Sequence, residues 1–321
     1  MDIYRDYFTR ENLLASLANA QFIPRMLGEM GLFRTLGLTS TTLAIEALPD
    51  NNVAESAAIA RGGPPKALML EKRGVEPFPV ASYAWSGAVM ADEVLSARAA
   101  GTSGAAEIIQ ARIAEQTAML RNQADFQHEY LRVACVNTPT NAFGSVGADQ
   151  TIAFGVADTV AVHASIHQHI TLRLEAALGG LSYTGVDVLC SDAFWQGLIQ
   201  SKSIRETYLN TAAAAQLRGI PVDRIDYGNV TWWRYRASGS IAITSGEAKA
   251  IPRGVPGLFI QAFAPNDTVD SVGAGAMGSP YYLNSEPLRT PAGIKGYQMT
   301  LQTHPVMVCT RPQCVLTVSL S

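Results

Sequence analysis

The feature that most limits what this chain can fold into is the run from residue 104 to 137, GAAEIIQARIAEQTAMLRNQADFQHEYLRVACVN. It contains no proline, and none occurs between Pro79 and Pro139. Ile109, Ile113, Leu120, Ala124 and Leu131 fall on one line, with Ile108, Met119, Phe126, Tyr130 and Val133 beside it. Spacings of three, four and seven place these residues along one broad side of a helix. Gln110, Arg112, Glu115, Arg121, Asp125, Glu129 and Arg132 occupy much of the remainder. Thr102 or Ser103 is placed to cap the start, and Glu107 suits the positive end of the dipole. Asn137 is placed to close the helix in a left-handed conformation, and Pro139 stops it. Such a rod is about 50 Å long, well beyond the three or four turns usual in globular domains.

A chain of 321 residues, 48% of them hydrophobic, is long and apolar enough for a large core and two domains. Only 16% are charged, against a usual quarter. Covering the surface with copies of the same chain is one way to remain soluble with so few charges. The formal net charge of −3 lacks the basic excess of a dedicated nucleic-acid binder. The four cysteines, at 135, 190, 309 and 314, form no CxxC pair and no zinc-type spacing. Cys135 and Cys190 read as buried thiols; whether Cys309 and Cys314 pair is left open. Asp2, Arg5 and Asp6 stand where a signal peptide needs an apolar core. No run of 18 apolar residues would span a membrane. A reducing cytoplasm is the expected place of synthesis.

Around the rod the chain divides. Residues 1 to 40 read as amphipathic helical pieces, with Leu27, Met30, Leu32 and Phe33 supplying apolar contacts after Pro24. Residues 41 to 86 read as a long two-stranded excursion: TTLAIEAL and NNVAESAAIA outward, Arg61-Gly62-Gly63-Pro64-Pro65 as a stiff reversal, then KALMLEKRGVEPFPVASYAW as the return. A lone hairpin is marginal in water, so this one needs a partner surface on its own domain or on a neighbour. AVMADEVLSARAAG reads as a short helix before the rod, and Gly-rich turns surround a short strand in NAFGSVGADQTIAFGVAD. HASIHQHITLRLEAAL reads as a helix stopped by Gly179-Gly180, VDVLCS as a buried strand, and DAFWQGLIQSKSIRETYL as a helix capped by Asp192. VTWWRYRA and Leu258 to Phe263 read as strands, and residues 264 to 296 as a long loop. Two apolar strands around Thr310-Arg311-Pro312-Gln313 close the chain. Without regular βα alternation the fold class is α+β, not a doubly wound sheet.

Several chemical motifs are incomplete. His163 and His167 are four apart, as two ligands on one helical face would be, and His169 is near. No Glu follows His163, and no third ligand is evident, so packing or solvated histidines are preferred to a metal site or an enzyme built on this group. Gly273, Gly275 and Gly278 spell GxGxxG, yet Pro280 follows where a dinucleotide fold needs a helix. Gly62 and Gly63 lie near Arg61 and Lys66, but Pro64 and Pro65 remove the amides a phosphate cradle needs. Trp232-Trp233 beside Arg234 and Arg236 has the residue types of a base-stacking platform, but adjacent strand residues face opposite ways, so one tryptophan belongs to the core. With no catalytic constellation, low charge and an outlying hairpin, a structural role is favoured and no cofactor or metal is expected.

The order of parts resembles the phage major capsid proteins of the lambda type, the major capsid protein E family, with the Hong Kong 97-type fold. The residues that carry the resemblance are ENLLASL in the arm, ARGG at 60 to 63, VDVLCSDAFWQGL at 186 to 198, IDYGNV at 225 to 230 and the closing QTHPVMVCTRPQCVLTVSL. The resemblance implies an N-terminal arm over 1–40 that reaches across a neighbour and an extended loop over 41–86. It implies a peripheral domain over 87–160 with its spine helix at 104–137, an axial domain over 161–296, and C-terminal strands over 297–321 that return to the sheet system. Arg61, Gly62, Gly63, Lys66, Glu71, Lys72 and Arg73 would then make intersubunit loop contacts. The implied partners are further copies in hexamers and pentamers of an icosahedral shell, and packaged double-stranded DNA held non-specifically. A portal protein, a separate scaffold protein (the chain has no room for a scaffold segment ahead of residue 10) and a decoration protein complete the implied set, with no membrane. The expected location is the virion head, and a cellular nanocompartment shell of the same fold is the alternative.

Overall fold

The computed structural model describes residues 8–19, 26–46, 75–99, 104–139, 151–154, 162–202, 204, 223–237, 239–268, 277–291 and 293–320. The helices in chain order are α1 (Arg10–Asn19), α2 (Met26–Glu29), α3 (Ala91–Ala99), α4 (Ala105–Asn137), α5 (Val162–Ser165), α6 (Leu172–Leu178) and α7 (Asp192–Gln200). A π-helical segment, Ile166–Thr171, joins α5 to α6. The strands are β1 (Phe33–Gly37), β2 (Thr42–Glu46), β3 (Val75–Pro79), β4 (Tyr83–Met90), β5 (Thr151–Phe154), β6 (Gly185–Cys190) and β7 (Arg224–Tyr227). They continue with β8 (Val230–Arg234), β9 (Glu247–Arg253), β10 (Phe259–Phe263), β11 (Tyr282–Thr290), β12 (Gly293–Thr303), β13 (Pro305–Cys309) and β14 (Leu316–Leu320).

The proline-free run is a single helix, and its length follows from serving two cores. Ile109, Ile113, Leu120 and Ala124 pack with Val89, Leu283, Tyr297, Met299 and Leu301 of the antiparallel sheet β11-β12-β4, and with Phe8, Leu13 and Leu17 of the N-terminal segment. Farther along, Val133, Cys135 and Val136 join a larger core around the six-stranded sheet β5-β14-β9-β6-β8-β7. Trp232, Phe194 and Leu189 are among the fully buried side chains of that second core. Each such side chain contributes roughly 1.5–3 kcal/mol by leaving water. A mixed sheet, β1-β10-β13, stands beside these two, with β1 parallel to β10 and β13 antiparallel to it.

Several expectations change. Phe33–Gly37 is a strand, not part of a helical arm, because it completes the edge of β10. Residues 264 to 296 are not one long loop: β11 and the start of β12 form a hairpin there, with a register shift at Leu288/Arg289. Pro287 is tolerated because β11 is an edge strand. The strand before the spine runs through Met90, and its helix begins only at Ala91. Ser191, not Asp192, caps α7, its hydroxyl accepting from the Phe194 amide at 3.4 Å. That helix is interrupted at Ser201; Lys202 and Ile204 are helical again, and the rest of the expected run to Leu209 lies outside the described residues. Asn137 stays helical and donates to the Ala242 carbonyl. The helix closes instead on Thr138, whose amide and hydroxyl both return to the Ala134 carbonyl at 3.0 Å. The expected caps Thr102 and Ser103 lie outside the described residues. Gly179 does close α6 in the left-handed region, at φ 58°. β13 and β14 flank the expected turn but enter different sheets. All four cysteines are free and buried, so Cys309 and Cys314 do not pair.

Candidate functional site

The two-stranded excursion is seen at its base. β2 pairs antiparallel with β3, with Leu43 opposite Phe78. Leu43 is buried and packs with Ala262 and Val308, while Phe78, Ile260, Val306, Leu36 and Leu38 close around them. The hairpin therefore leaves the body from a fixed apolar footing on the sheet β1-β10-β13. Arg61, Gly62, Gly63, Lys66, Glu71, Lys72 and Arg73 lie outside the described residues.

The footing is tied to the spine through buried polar side chains. Arg121, Asp125, His128 and Arg132 recur at steps of four, three and four, forming one stripe on α4. Arg121 donates to the Leu17 carbonyl at the end of α1, at 2.6 Å. The Tyr281 phenol donates to Asp125, and burial, with that hydrogen bond, holds the phenol well above its usual range. His128 Nε2 lies 2.8 Å from Thr303 Oγ1, and the Thr303 hydroxyl donates to the Pro280 carbonyl. Since that hydroxyl spends its proton on Pro280, His128 must carry a proton on Nε2 and donate. Burial, with Arg132 close by, pushes the imidazole down to about 3. Arg132 Nε donates to Gln261 Oε1, and Gln261 Nε2 donates to Thr35 Oγ1. Glu129, beside this stripe, accepts from the amides of Leu27 and Gly28.

Asp125 and Glu129 were expected on the outer face, and they are instead 4% and 1% exposed. Met119 and Tyr130, expected on the apolar side, are 60% and 38% exposed. The polar stripe was visible as a period, but its burial was not, because the elements covering it come from positions 17, 27, 235, 281 and 303.

The histidine group is brought into a cleft of about 1010 Å³ between the π segment and the β7–β8 turn. His163 and His167 line it with Glu175, Tyr183, Arg224 and Arg253, while His169 is not among its lining residues. His163 meets the Tyr227 ring edge-on at 6.2 Å. Among the described residues no group of three His, Cys, Asp or Glu side chains is placed to hold a metal ion. Trp232 is buried and stacks on Phe194, and Trp233 lies under Arg224 and donates to Asp187, so this pair is occupied within the chain. Gly278, the last glycine of GxGxxG, precedes strand β11 rather than a helix, and its amide donates to the Leu38 carbonyl. Among the described residues no helix is long and apolar enough to cross a membrane.

The described geometry therefore offers a fixed hairpin base, a two-core spine and a mixed polar cleft. A family model described as phage major capsid protein E matches residues 9–320. The fold is similar to that of the subunit in the mature capsid of bacteriophage PhiM1, at 14% identity and TM-score 0.53, over 94% of this chain and 88% of that one. It is also similar to the capsid protein of cyanophage P-SCSP1u, at 10% identity and TM-score 0.51, over 94% of this chain and 90% of that one. No curated protein matches the chain.

Proposed function

The chain belongs to the phage major capsid protein E family, and from that premise we propose that it works by closing a shell with further copies of itself and catalyses no reaction. As a phage major capsid protein its place is the virion head. Its hexamers and pentamers would form an icosahedral shell around double-stranded DNA held by non-specific contact. A portal protein, a separate scaffold protein and a decoration protein are the further partners of this reading.

The observation that carries the reading is the hairpin base. Leu43 and Phe78 anchor β2 and β3 to the body, and the 28 residues between the two described ends, 47 to 74, start and finish at one fixed footing. A loop held this way can be aimed at an adjacent subunit, where many weak contacts act together. In this reading Arg61, Gly62, Gly63, Lys66, Glu71, Lys72 and Arg73 touch the neighbour. Residues 87–160 form the peripheral domain around the spine, 161–296 the axial domain, and 297–321 return to the sheets. Residues 8–19 lie on this chain's own spine, so the arm of residues 1–40 begins from a folded base. The family match favours the phage head over a cellular nanocompartment.

The test is deletion of residues 50 to 72 with a short Gly-Ser bridge. The reading expects a folded subunit, by circular dichroism and thermal melting, that no longer closes into particles. Closed particles from the deleted chain would refute the loop assignment.

A further inference from the structure

The sheet β11-β12-β4 has two edges of very different character, and their contrast points to an intersubunit contact. β11 (YLNSEPLRT) carries Glu286, Pro287 and Arg289, and its register breaks at Leu288/Arg289. Charges, proline and a bulge are the devices that keep a sheet edge from pairing with another chain. β4 (YAWSGAVM) has none of them over its eight residues, and its register with β12 is continuous from Thr303↔Tyr83 to Gly296↔Met90. Among the described residues no strand pairs with the outer edge of β4. Among the shorter edges, β7 carries Arg224 and Asp226 and β3 carries Glu76, Pro77 and Pro79, whereas the four-residue β5 (TIAF) carries no such guard.

One face of β4 is fixed from below. Val89 is fully buried, and Gly87 sits so near α4 that a methyl group there would meet Gln116 Oε1 at 2.7 Å. Tyr83 and Trp85 stack at 6.4 Å, giving the strand a stiff aromatic start. Ala84 and Ser86 face outward and are exposed. The edge is thus unbroken in register and uncharged, with small side chains at its exposed positions Ala84 and Ser86, which suits strand addition.

We propose that an extended segment of a second copy of this chain adds to the outer edge of β4, carrying the sheet across a subunit boundary. The occupant is another copy because the chain guards the far edge of the same sheet, no described strand of its own covers this one, and copies of itself are the neighbours a shell subunit meets at highest density. This inference rests on the shell reading of the preceding section.

The test compares assembly of the full chain with that of Ala84→Lys/Ser86→Lys and of Asn284→Lys, the last placing a charge on the guarded edge. Light scattering and electron microscopy read the concentration at which particles form. The double variant is expected to melt like the wild type and to need at least tenfold more protein, while Asn284→Lys assembles normally. Hydrogen exchange on wild-type particles gives a readout that needs no variant. Amides of Tyr83–Met90 are expected to exchange at least tenfold more slowly in the shell than in free subunits. Unchanged exchange in β4, or normal assembly of a folded double variant, overturns the inference and leaves the shell reading intact. A wild-type chain that forms no particles overturns both.

Discussion

The carboxylate of Glu129 accepts a hydrogen bond from the phenol of Tyr235 at 3.0 Å, although 106 residues separate them. The same carboxylate takes the amide of Leu27 at 2.8 Å and lies 3.2 Å from Arg132. One buried side chain thus joins α2, the spine and the segment after β8. Truncating one member of such a buried charged cluster leaves the others uncompensated. Glu129→Ala is expected to cost roughly 3–5 kcal/mol, and Tyr235→Phe, which removes one donor, about 2 kcal/mol. Urea unfolding of both variants checks the ranking; equal, small losses would contradict it.

His128 makes stability depend on pH. Its folded value of about 3 lies below the ordinary 6.5, so the folded chain resists a proton that the unfolded chain accepts. The stabilisation is full above pH 6.5 and is lost as pH falls toward 3. By pH 5 the loss is on the order of 2 kcal/mol. The titratable groups shown to face it are Arg132 on the spine and Tyr281 beside its ring. Denaturant midpoints between pH 7 and 5 are expected to fall for the wild type and to fall less for His128→Gln, even though the latter starts lower.

Gly278 tests the close approach of two backbones. A Cβ there would overlap the Phe263 carbonyl and the Ala264 backbone, neither of which can move without breaking the hairpin footing. Gly278→Ala is expected to cost at least about 3 kcal/mol, as overpacking against backbone does at its upper end. Gly104→Ala, at a helix cap with nothing near its Cβ and φ −52°, is expected to be neutral. Thermal melts of the two variants decide the point.

The thiols are expected to be silent. Burial pushes Cys309 up to about 12 and raises Cys135 and Cys190 well above the ordinary range. The reactive species is the thiolate, so Cys135, Cys190 and Cys309 should not react with a thiol reagent in the native chain, and Cys314 is out of reach because it is fully buried. All four should react in denaturant. Rapid labelling of any one in the native state would place it at the surface.

The sequence carried the spine because a proline-free run with helical spacing has one reading. It carried β6 in its unbroken apolar run, and the stop at Gly179 in its need for a left-handed residue. It did not carry β11 or the start of β12, because Asn284, Glu286 and Pro287 look like loop residues until β12 supplies partners 10 to 16 positions away. The buried role of Glu129 was equally hidden, since its partners Leu27 and Tyr235 lie about a hundred residues off on either side. The fold-level resemblance was legible in the order of parts, whereas the edge position of β4 among the described strands depends on knowing which strands are neighbours.

The central claim is that this chain completes the burial of its apolar surface only among its own copies. Sedimentation velocity with electron microscopy on the purified full chain at high concentration tests it most directly. The account predicts capsomers and closed, uniform shells. A compact monomer that stays monodisperse at every concentration would contradict it.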